Sequence, residues 1–189
     1  MTEQELLVDC LRRLNDCQVP YFLTGSMASN FWGVPRSTHD LDFVVQLRAE
    51  SIPPLVQSFA GDFFIQESAA RSALRPPHQF NAIDQRSNLK VDFWVLADDP
   101  FSMEMFGRRQ SVVLFGARAW IASAEDVLLH KLYWNIVSPS DRQLLDAAGV
   151  WCIQEKNLDL THLSKWAREL KVEEVLEKIR RGEIKPKSS

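Results

Sequence analysis

The sequence has few cysteines, no long apolar run and no excess of basic residues, and each shortage excludes a class of protein. Its three cysteines, Cys10, Cys17 and Cys152, are odd in number and lack close metal-ligand spacing. Reduced structural thiols in a cytoplasmic protein are therefore expected, rather than a disulfide framework. The longest apolar runs are far shorter than a membrane span. The N-terminal segment carries acidic residues and no basic stretch before an apolar one, so no signal peptide is predicted.

The charge balance limits the partners that the chain can bind. A formal net charge of −3 argues against a protein that coats extended DNA, because such binding draws on many phosphate contacts. A local basic pocket for a nucleotide or an RNA end remains compatible with it. The basic run KIRRGEIKPKSS at the C-terminus is interpreted as a solvated tail. With 189 residues and no internal repeat, the chain can bury one substantial core and a small second lobe.

The order of the periodic segments predicts the fold class. Thr2 and Glu5 have capping-box spacing before an amphipathic helix. Short strand patterns follow in VPYFLT, LDFVVQL, DFFIQE, QFNAID and LKVDFWVL, and SVVLFGARAWIA is typical of a strand or hairpin. After Ser123 four consecutive helical patterns appear. The prediction is an α+β protein, with a mixed sheet flanked by helices in residues 1–122 and a C-terminal helical lobe in residues 123–189.

Two aspartates interrupt the strand pattern DLDFVV. Alternate strand residues share one face, so Asp40 and Asp42 should lie on the side opposite to Leu41 and Phe43. Like charges this close disfavour each other unless a cation intervenes. A hard divalent ion such as Mg²⁺ prefers oxygen ligands and commonly uses one or two carboxylates together with substrate phosphates.

A third aspartate repeats the anomaly fifty residues later. Asp92 lies in the apolar run KVDFWVL. Three acids on two adjacent strands can hold two metal ions about 3.5–4 Å apart, as phosphoryl-transfer sites do. The alternative is that each aspartate faces solvent on the exposed side of an antiparallel sheet. The repeated context favours the metal interpretation.

Gly25 and Ser26 stand where the first strand turns into a helix. A glycine there lets the backbone approach a ligand, and the helix N-terminus attracts phosphate. A plain N-cap is the ordinary meaning of such a serine. Placed just before the two-aspartate strand, the pair is interpreted as a triphosphate cradle.

These motifs together resemble a known superfamily. Gly25-Ser26, then Arg36-x-Thr38-x-Asp40-Leu41-Asp42, then Asp92 are similar to the pattern of nucleotidyltransferases of the DNA polymerase β type. The RSTHDLDF form resembles most the small AbiEii-type toxins and their uncharacterised bacterial and archaeal relatives. The resemblance covers roughly residues 20 to 150 and implies a nucleotidyltransferase-like fold.

The resemblance also extends to the helical half. SAEDVLLHKLYW and SDRQLLDAAGV are similar to the segments that carry the family's later motif residues, which would here be Lys131 and Asp146. From the residues alone, Lys131 either extends to water or meets an anion. Asp146 either takes part in the site or only pairs with Arg142 or Lys131. Arg36 and Thr38 belong to the nucleotide-binding motif, although Arg36 could instead pair with Asp40. His39 is interpreted as structural.

The predicted function is Mg²⁺-dependent transfer of a nucleoside monophosphate from an NTP to a hydroxyl acceptor, with Mn²⁺ as an alternative ion. Asp40, Asp42 and Asp92 are the predicted catalytic residues and metal ligands. Gly25, Ser26, Arg36, Thr38, Lys131 and Asp146 are the predicted nucleotide-binding residues. The acceptor could be a tRNA, a protein or a small molecule. The resemblance also implies a toxin role with a cognate antitoxin, and the competing interpretation is an inactive, antitoxin-like binding module of the same fold.

Overall fold

The computed structural model describes residues 1–38 and 40–186. His39 and the last three residues of the predicted basic tail therefore lie outside the described residues. The strands are β1 (Tyr21–Leu23), β2 (Asp40–Val45), β3 (Phe63–Phe64), β4 (Gln79–Asp84), β5 (Lys90–Val95), β6 (Gln110–Leu114) and β7 (Ala117–Ile121). The helices are α1 (Glu3–Asp16), α2 (Gly25–Trp32), α3 (Ile52–Phe59), α4 (Glu67–Ser72), α5 (Pro100–Arg108), α6 (Ala124–Val137), α7 (Asp141–Gln154), α8 (Leu160–Glu169) and α9 (Glu173–Arg180).

The strands form one mixed seven-stranded sheet in the order β3-β4-β5-β2-β1-β7-β6. β2 pairs in parallel with β5, and β1 pairs in parallel with β7, whereas the remaining pairs are antiparallel. The predicted α+β class with a mixed sheet flanked by helices is confirmed. The segment SVVLFGARAWIA is the antiparallel hairpin β6–β7.

One local prediction needs correction around β3. The segment DFFIQE contributes only the two-residue strand Phe63–Phe64, and the next residues form the unpredicted helix α4. Alanines at its centre favour a helix, and Arg71 hydrogen-bonds Glu67 one turn earlier at 2.8 Å. The strong local helix preference therefore shortens the strand.

The chain divides into two compact units. The first comprises Met1–Thr24 and Thr38–Ile121, and the second comprises Gly25–Ser37 and Ala122–Ser189. The predicted division into 1–122 and 123–189 stays a prediction. It does not anticipate that the segment Gly25–Ser37, which carries α2, packs with the helices of the second unit.

A large part of the core of the first unit lies on the face of the sheet that carries Phe43 and Phe93. The buried residues of β2, Leu41, Phe43 and Val45, alternate with more exposed ones. The Phe93 ring of β5 lies 6.0 Å from the Phe43 ring and 5.4 Å from the Phe59 ring of α3. α1 adds buried leucines to this core, and its predicted capping box is present, with Glu5 N donating to Thr2 Oγ1 at 3.2 Å. One face of β2 and β5 is therefore committed to the core, and their polar residues are placed on the other face.

The second unit combines α2 with α6, α7, α8 and α9. Gly33 lies so close to α7 that a Cβ atom on it would be 2.6 Å from Val150 N. Only glycine fits there, and this close approach fixes the segment after α2 against α7. Near the start of α6, Nε2 of the buried His162 of α8 lies 2.7 Å from Asp126 Oδ1. None of the described helices combines the length and the apolar composition needed to cross a bilayer.

Candidate functional site

The three predicted carboxylates lie on two adjacent strands of the first unit. Because β2 and β5 run in parallel, Asp42 stands directly beside Asp92, and Asp40 stands beside Lys90. Asp40 is exposed, Asp42 is half-buried and Asp92 is buried, with 6% of its surface exposed. We call Asp40, Asp42 and Asp92 the acidic face. The sequence analysis expected the three aspartates on two adjacent strands. The parallel pairing of β2 with β5 places them there.

A lysine that the sequence analysis overlooked neutralises part of this charge. Lys90 Nζ lies 2.8 Å from Asp92 Oδ2. Its hydrogen bond to Asp92, together with the negative charges of Asp92, Asp40 and Asp42, raises the pKa of Lys90 above its usual value. Lys90 therefore compensates part of the negative charge of Asp92.

Neutral donors contact two of the same carboxylates. Gln79 Nε2 of β4 lies 3.4 Å from Asp92 Oδ1, and Trp94 Nε1 of β5 lies 3.4 Å from Asp42 Oδ1. These long hydrogen bonds orient the carboxylates without neutralising them. The amide of Thr24 donates to the carbonyl of Asp42 at 2.9 Å, and the buried Thr24 hydroxyl has no hydrogen-bond partner among the described residues.

The donor chemistry of the acidic face fits a hard divalent ion. Three carboxylates and the unpaired Thr24 hydroxyl offer oxygen ligands only, as Mg²⁺ prefers. Within residues 1–38 and 40–186, however, no three acidic, histidine or cysteine side chains already form a metal-binding group. Lys90 pairs with Asp92, so this lysine would compete with a metal ion for that carboxylate.

The second unit holds a different charged group. Arg36 forms a two-pronged ion pair with Asp146 of α7, with Nε to Oδ1 at 2.7 Å and Nη2 to Oδ2 at 2.9 Å. Lys131 Nζ of α6 donates to the same Asp146 Oδ2 at 2.8 Å. Arg36 Nη2 also donates to Ser26 Oγ at 2.8 Å. We call Ser26, Arg36, Lys131 and Asp146 the basic cluster, because it has two cations and one carboxylate.

Two features of the local sequence hold Arg36 in place. The side chain of Asn30 forms two hydrogen bonds with the backbone of Arg36. It donates to the Arg36 carbonyl at 2.7 Å and accepts from the Arg36 amide at 3.0 Å. The close packing of Gly33 on α7 fixes the intervening turn. Asn30 is a positioning residue that sequence reasoning missed, and only the six-residue spacing to Arg36 could have indicated it.

The electrostatics of the cluster follow from burial and pairing. Burial of the Asp146 carboxyl favours its neutral form, but the hydrogen bonds and charges of Arg36 and Lys131 outweigh burial and lower its pKa below the usual value. Lys131 is buried and meets an anion, which resolves the alternative left open by the sequence. Asp146 pairs with Lys131, which was one of the alternatives in the sequence analysis, and it also pairs with Arg36.

The remaining predicted residues have simpler surroundings. Gly25 begins α2 with a φ of 62°, the left-handed region that favours glycine, as a strand-to-helix turn requires. Thr38 is buried in the first unit, 8% exposed. The predicted residues therefore fall into two groups, with Asp40, Asp42, Asp92 and Thr38 in the first unit and Gly25, Ser26, Arg36, Lys131 and Asp146 in the second.

Comparisons with known proteins address the fold. No protein-family model matches the sequence, and no curated protein matches it. Among solved structures, an antigenic nucleotidyltransferase-like protein from Paracoccidioides brasiliensis is 16% identical, with a TM-score of 0.58 over 99% of this chain and 95% of that one. ANT(2")-Ia in complex with adenylyl-2"-tobramycin is 15% identical, with a TM-score of 0.52 over 96% of this chain and 98% of that one.

The chain has a nucleotidyltransferase fold. The solution structure of the antibiotic-resistance factor ANT(2")-Ia supports the same conclusion, with 15% identity and a TM-score of 0.51 over 95% of this chain and 90% of that one. At these identities the likeness concerns the backbone arrangement alone.

Proposed function

We propose that the protein is a divalent-metal-dependent nucleotidyltransferase, which moves a nucleoside monophosphate from an NTP to a hydroxyl group. The observation that carries this proposal is the register of the acidic face, which sets Asp42 beside Asp92 on parallel strands of a nucleotidyltransferase fold. Asp40, Asp42 and Asp92 would hold Mg²⁺ or Mn²⁺, and the bound ion would neutralise the phosphate charge that develops during transfer.

The chain's own residues would do the rest. Asp92 would accept the proton of the attacking hydroxyl as its oxygen bonds to the α-phosphorus, while the bond to pyrophosphate breaks. Within the second unit, Lys131 and Arg36 offer positive charge, and the backbone of Gly25 and the hydroxyl of Ser26 offer donors, that suit a phosphate group. Since Ser26 Oγ accepts a hydrogen bond from Arg36, its own proton is left for a phosphate oxygen. Thr38, buried beside the start of β2, would support the strand that carries Asp40.

A label-transfer assay tests the proposal. The protein is incubated with Mg²⁺, each α-labelled NTP, and total tRNA, protein extract or a panel of hydroxylated small molecules. The solved complex of ANT(2")-Ia with adenylyl-2"-tobramycin is the reason for including small molecules. We expect transfer with at least one acceptor, loss of transfer in Asp42→Asn, and full transfer in the control Asp98→Asn, which alters an exposed carboxylate elsewhere.

The toxin role is the finer part of the proposal. Induced expression in a bacterial host should arrest growth, and Asp42→Asn should abolish the arrest if transfer causes it. Arrest that persists in the Asp42→Asn variant would separate toxicity from catalysis. Growth without arrest, alongside transfer in vitro, would keep the enzyme and remove the toxin role together with its antitoxin.

A second candidate is a nucleotide-binding module without turnover. Lys90 favours it, because this lysine occupies Asp92 where an active site would hold a metal. Such a module would bind NTP without transfer to any acceptor, and its affinity would not depend on Mg²⁺. A measurement of NTP affinity with Mg²⁺ and with EDTA separates the two candidates.

A further inference from the structure

A small cavity opens in the first unit beside a half-buried arginine. It has a volume of about 240 Å³, and its lining comes from the end of α1, the segment leading into β1, the residue after α5, and β7. Asn15, Gln18, Tyr21, Arg109 and Trp120 are its polar and aromatic lining residues. None of these residues belongs to the acidic face or to the basic cluster.

Arg109 is the unusual member of this lining. Its guanidinium group lies 3.8 Å from the centre of the Phe106 ring and 4.9 Å from that of Trp120, and it donates to the Phe106 carbonyl. Its Nε atom is buried without a hydrogen-bond partner among the described residues. Burial alone lowers the pKa of Arg109, with no carboxylate acting against it. A half-buried cation with no anion beside it costs free energy that the two rings offset only in part.

A second arginine strengthens the positive character of the site. The Arg118 guanidinium lies 5.8 Å from the centre of the Trp120 ring and contacts Ser111 Oγ at 3.4 Å. No carboxylate among the described residues pairs with Arg118 or Arg109. Trp120 therefore has two cations within reach of its ring, in a protein whose net charge is −3. This concentration of positive charge favours an anionic ligand beside Trp120.

The cavity rim is already rigid. Asn15 donates to the Arg118 carbonyl at 2.9 Å and accepts a hydrogen bond from the Tyr21 hydroxyl at 3.2 Å. These bonds tie the end of α1 to β1 and β7. A site that is formed before the ligand arrives loses little conformational entropy on binding.

We propose that this cavity binds a small organic anion that joins an oxyanion head, a carboxylate or phosphate, to a flat apolar ring. The oxyanion would meet the Arg109 guanidinium, which offers parallel N–H donors, and the ring would contact Trp120 and the apolar wall. The cavity volume suits a ligand of one aromatic ring and its head group. The proposal is independent of the proposed transferase activity.

Isothermal titration calorimetry with three matched probes tests it. Benzoate and phenyl phosphate carry the anion and the ring, whereas benzamidine has the shape of benzoate with a positive charge. We expect saturable binding of at least one anionic probe at concentrations up to about 10 mM and no binding of benzamidine. Failure of both anions to saturate, or equal binding of benzamidine, would overturn the proposal.

Variants locate the site. Arg109→Gln should weaken binding by about tenfold or more, because it removes the charge and the paired donors. The control Arg12→Gln, at an exposed arginine of α1, should bind as the native protein does. If Arg109→Gln fails to fold, as a melting curve would show, Arg109→Lys keeps the charge but loses the two-pronged geometry and should weaken binding about threefold to tenfold. Native affinity in either folded variant would contradict the assignment.

Discussion

The acidic face and the basic cluster differ in the groups that contact their carboxylates. On the acidic face the half-exposed Lys90 pairs with Asp92, and Gln79 and Trp94 contact the carboxylates through long, neutral hydrogen bonds. In the basic cluster one buried carboxylate receives three charged hydrogen bonds of 2.7–2.9 Å from two cations. The hydrogen bonds from Arg36 and Lys131 thus form a completed network around Asp146. Substitutions on the acidic face should therefore lower activity first, whereas removal of the Asp146 carboxylate should above all lower the free energy of unfolding.

The largest expected effect concerns stability and follows from Asp146. Asp146→Ala leaves Lys131 buried without an anion and removes the partner of Arg36, which should cost about 3–5 kcal/mol of unfolding free energy. Urea unfolding followed by circular dichroism measures the change.

A matched double variant distinguishes a charge effect from a packing effect. Asp146→Leu combined with Lys131→Met replaces the buried pair by apolar groups and should recover more than half of the loss. If the single variant is as stable as the native protein, the cluster is not the completed network described above.

The next effect concerns activity and follows from Asp92. Asp92→Asn should lower nucleotidyl transfer by about 10²–10³-fold, because it removes a negative ligand of the metal ion and the group that would accept the proton of the attacking hydroxyl. Its unfolding free energy should stay unchanged or rise slightly, because one of three like charges disappears. Transfer is measured by label incorporation and stability by urea unfolding. A variant that loses stability and activity in proportion would remove the contrast between the two regions.

A smaller effect is the pH dependence of stability. The pKa of Asp146 is lower in the folded protein than in the unfolded chain, where it is about 3.9. The stability that the ionised Asp146 contributes is therefore fully present above that pH. It is lost as the pH falls through the lowered pKa of Asp146 in the folded protein. Urea midpoints measured from pH 7 down to pH 2 should fall more steeply below pH 4 in the native protein than in Asp146→Asn. Parallel profiles would show that Asp146 titrates as in the unfolded chain.

The sequence predicts the acidic face better than it predicts the basic cluster, for a physical reason. Strand alternation is local, so Asp40 and Asp42 are placed on one face by period two alone, and the apolar context of Asp92 marks a neighbouring strand. The pairing of Arg36 with Asp146 spans 110 residues and depends on how Gly33 packs against α7. No periodicity encodes such a contact, and only the resemblance to a family placed Asp146 among the candidates.

The pairing of Lys90 with Asp92 is also hard to predict from the sequence, although only two positions separate these residues. The sequence places Lys90 two residues before Asp92, on the same strand face, yet lysines at strand ends are commonly solvated. Its pairing with Asp92 depends on the open side of β5 and on the proximity of β2, which are tertiary properties. The sequence therefore predicts three aspartates as metal ligands, but it does not show that Lys90 would compete with the metal ion for Asp92.

The smallest predicted effect sharpens the comparison at this lysine. If Lys90 competes with a divalent ion for the acidic face, Lys90→Met should tighten Mn²⁺ binding about tenfold, since one nearby positive charge disappears. Lys90→Arg keeps the charge and should leave the affinity within about threefold of the native value. Electron paramagnetic resonance of free Mn²⁺ gives the affinity without relying on turnover. Equal affinities in native protein and Lys90→Met would mean that Lys90 does not compete for the ion, and a lack of Mn²⁺ binding in every variant would count against the metal-dependent transferase itself.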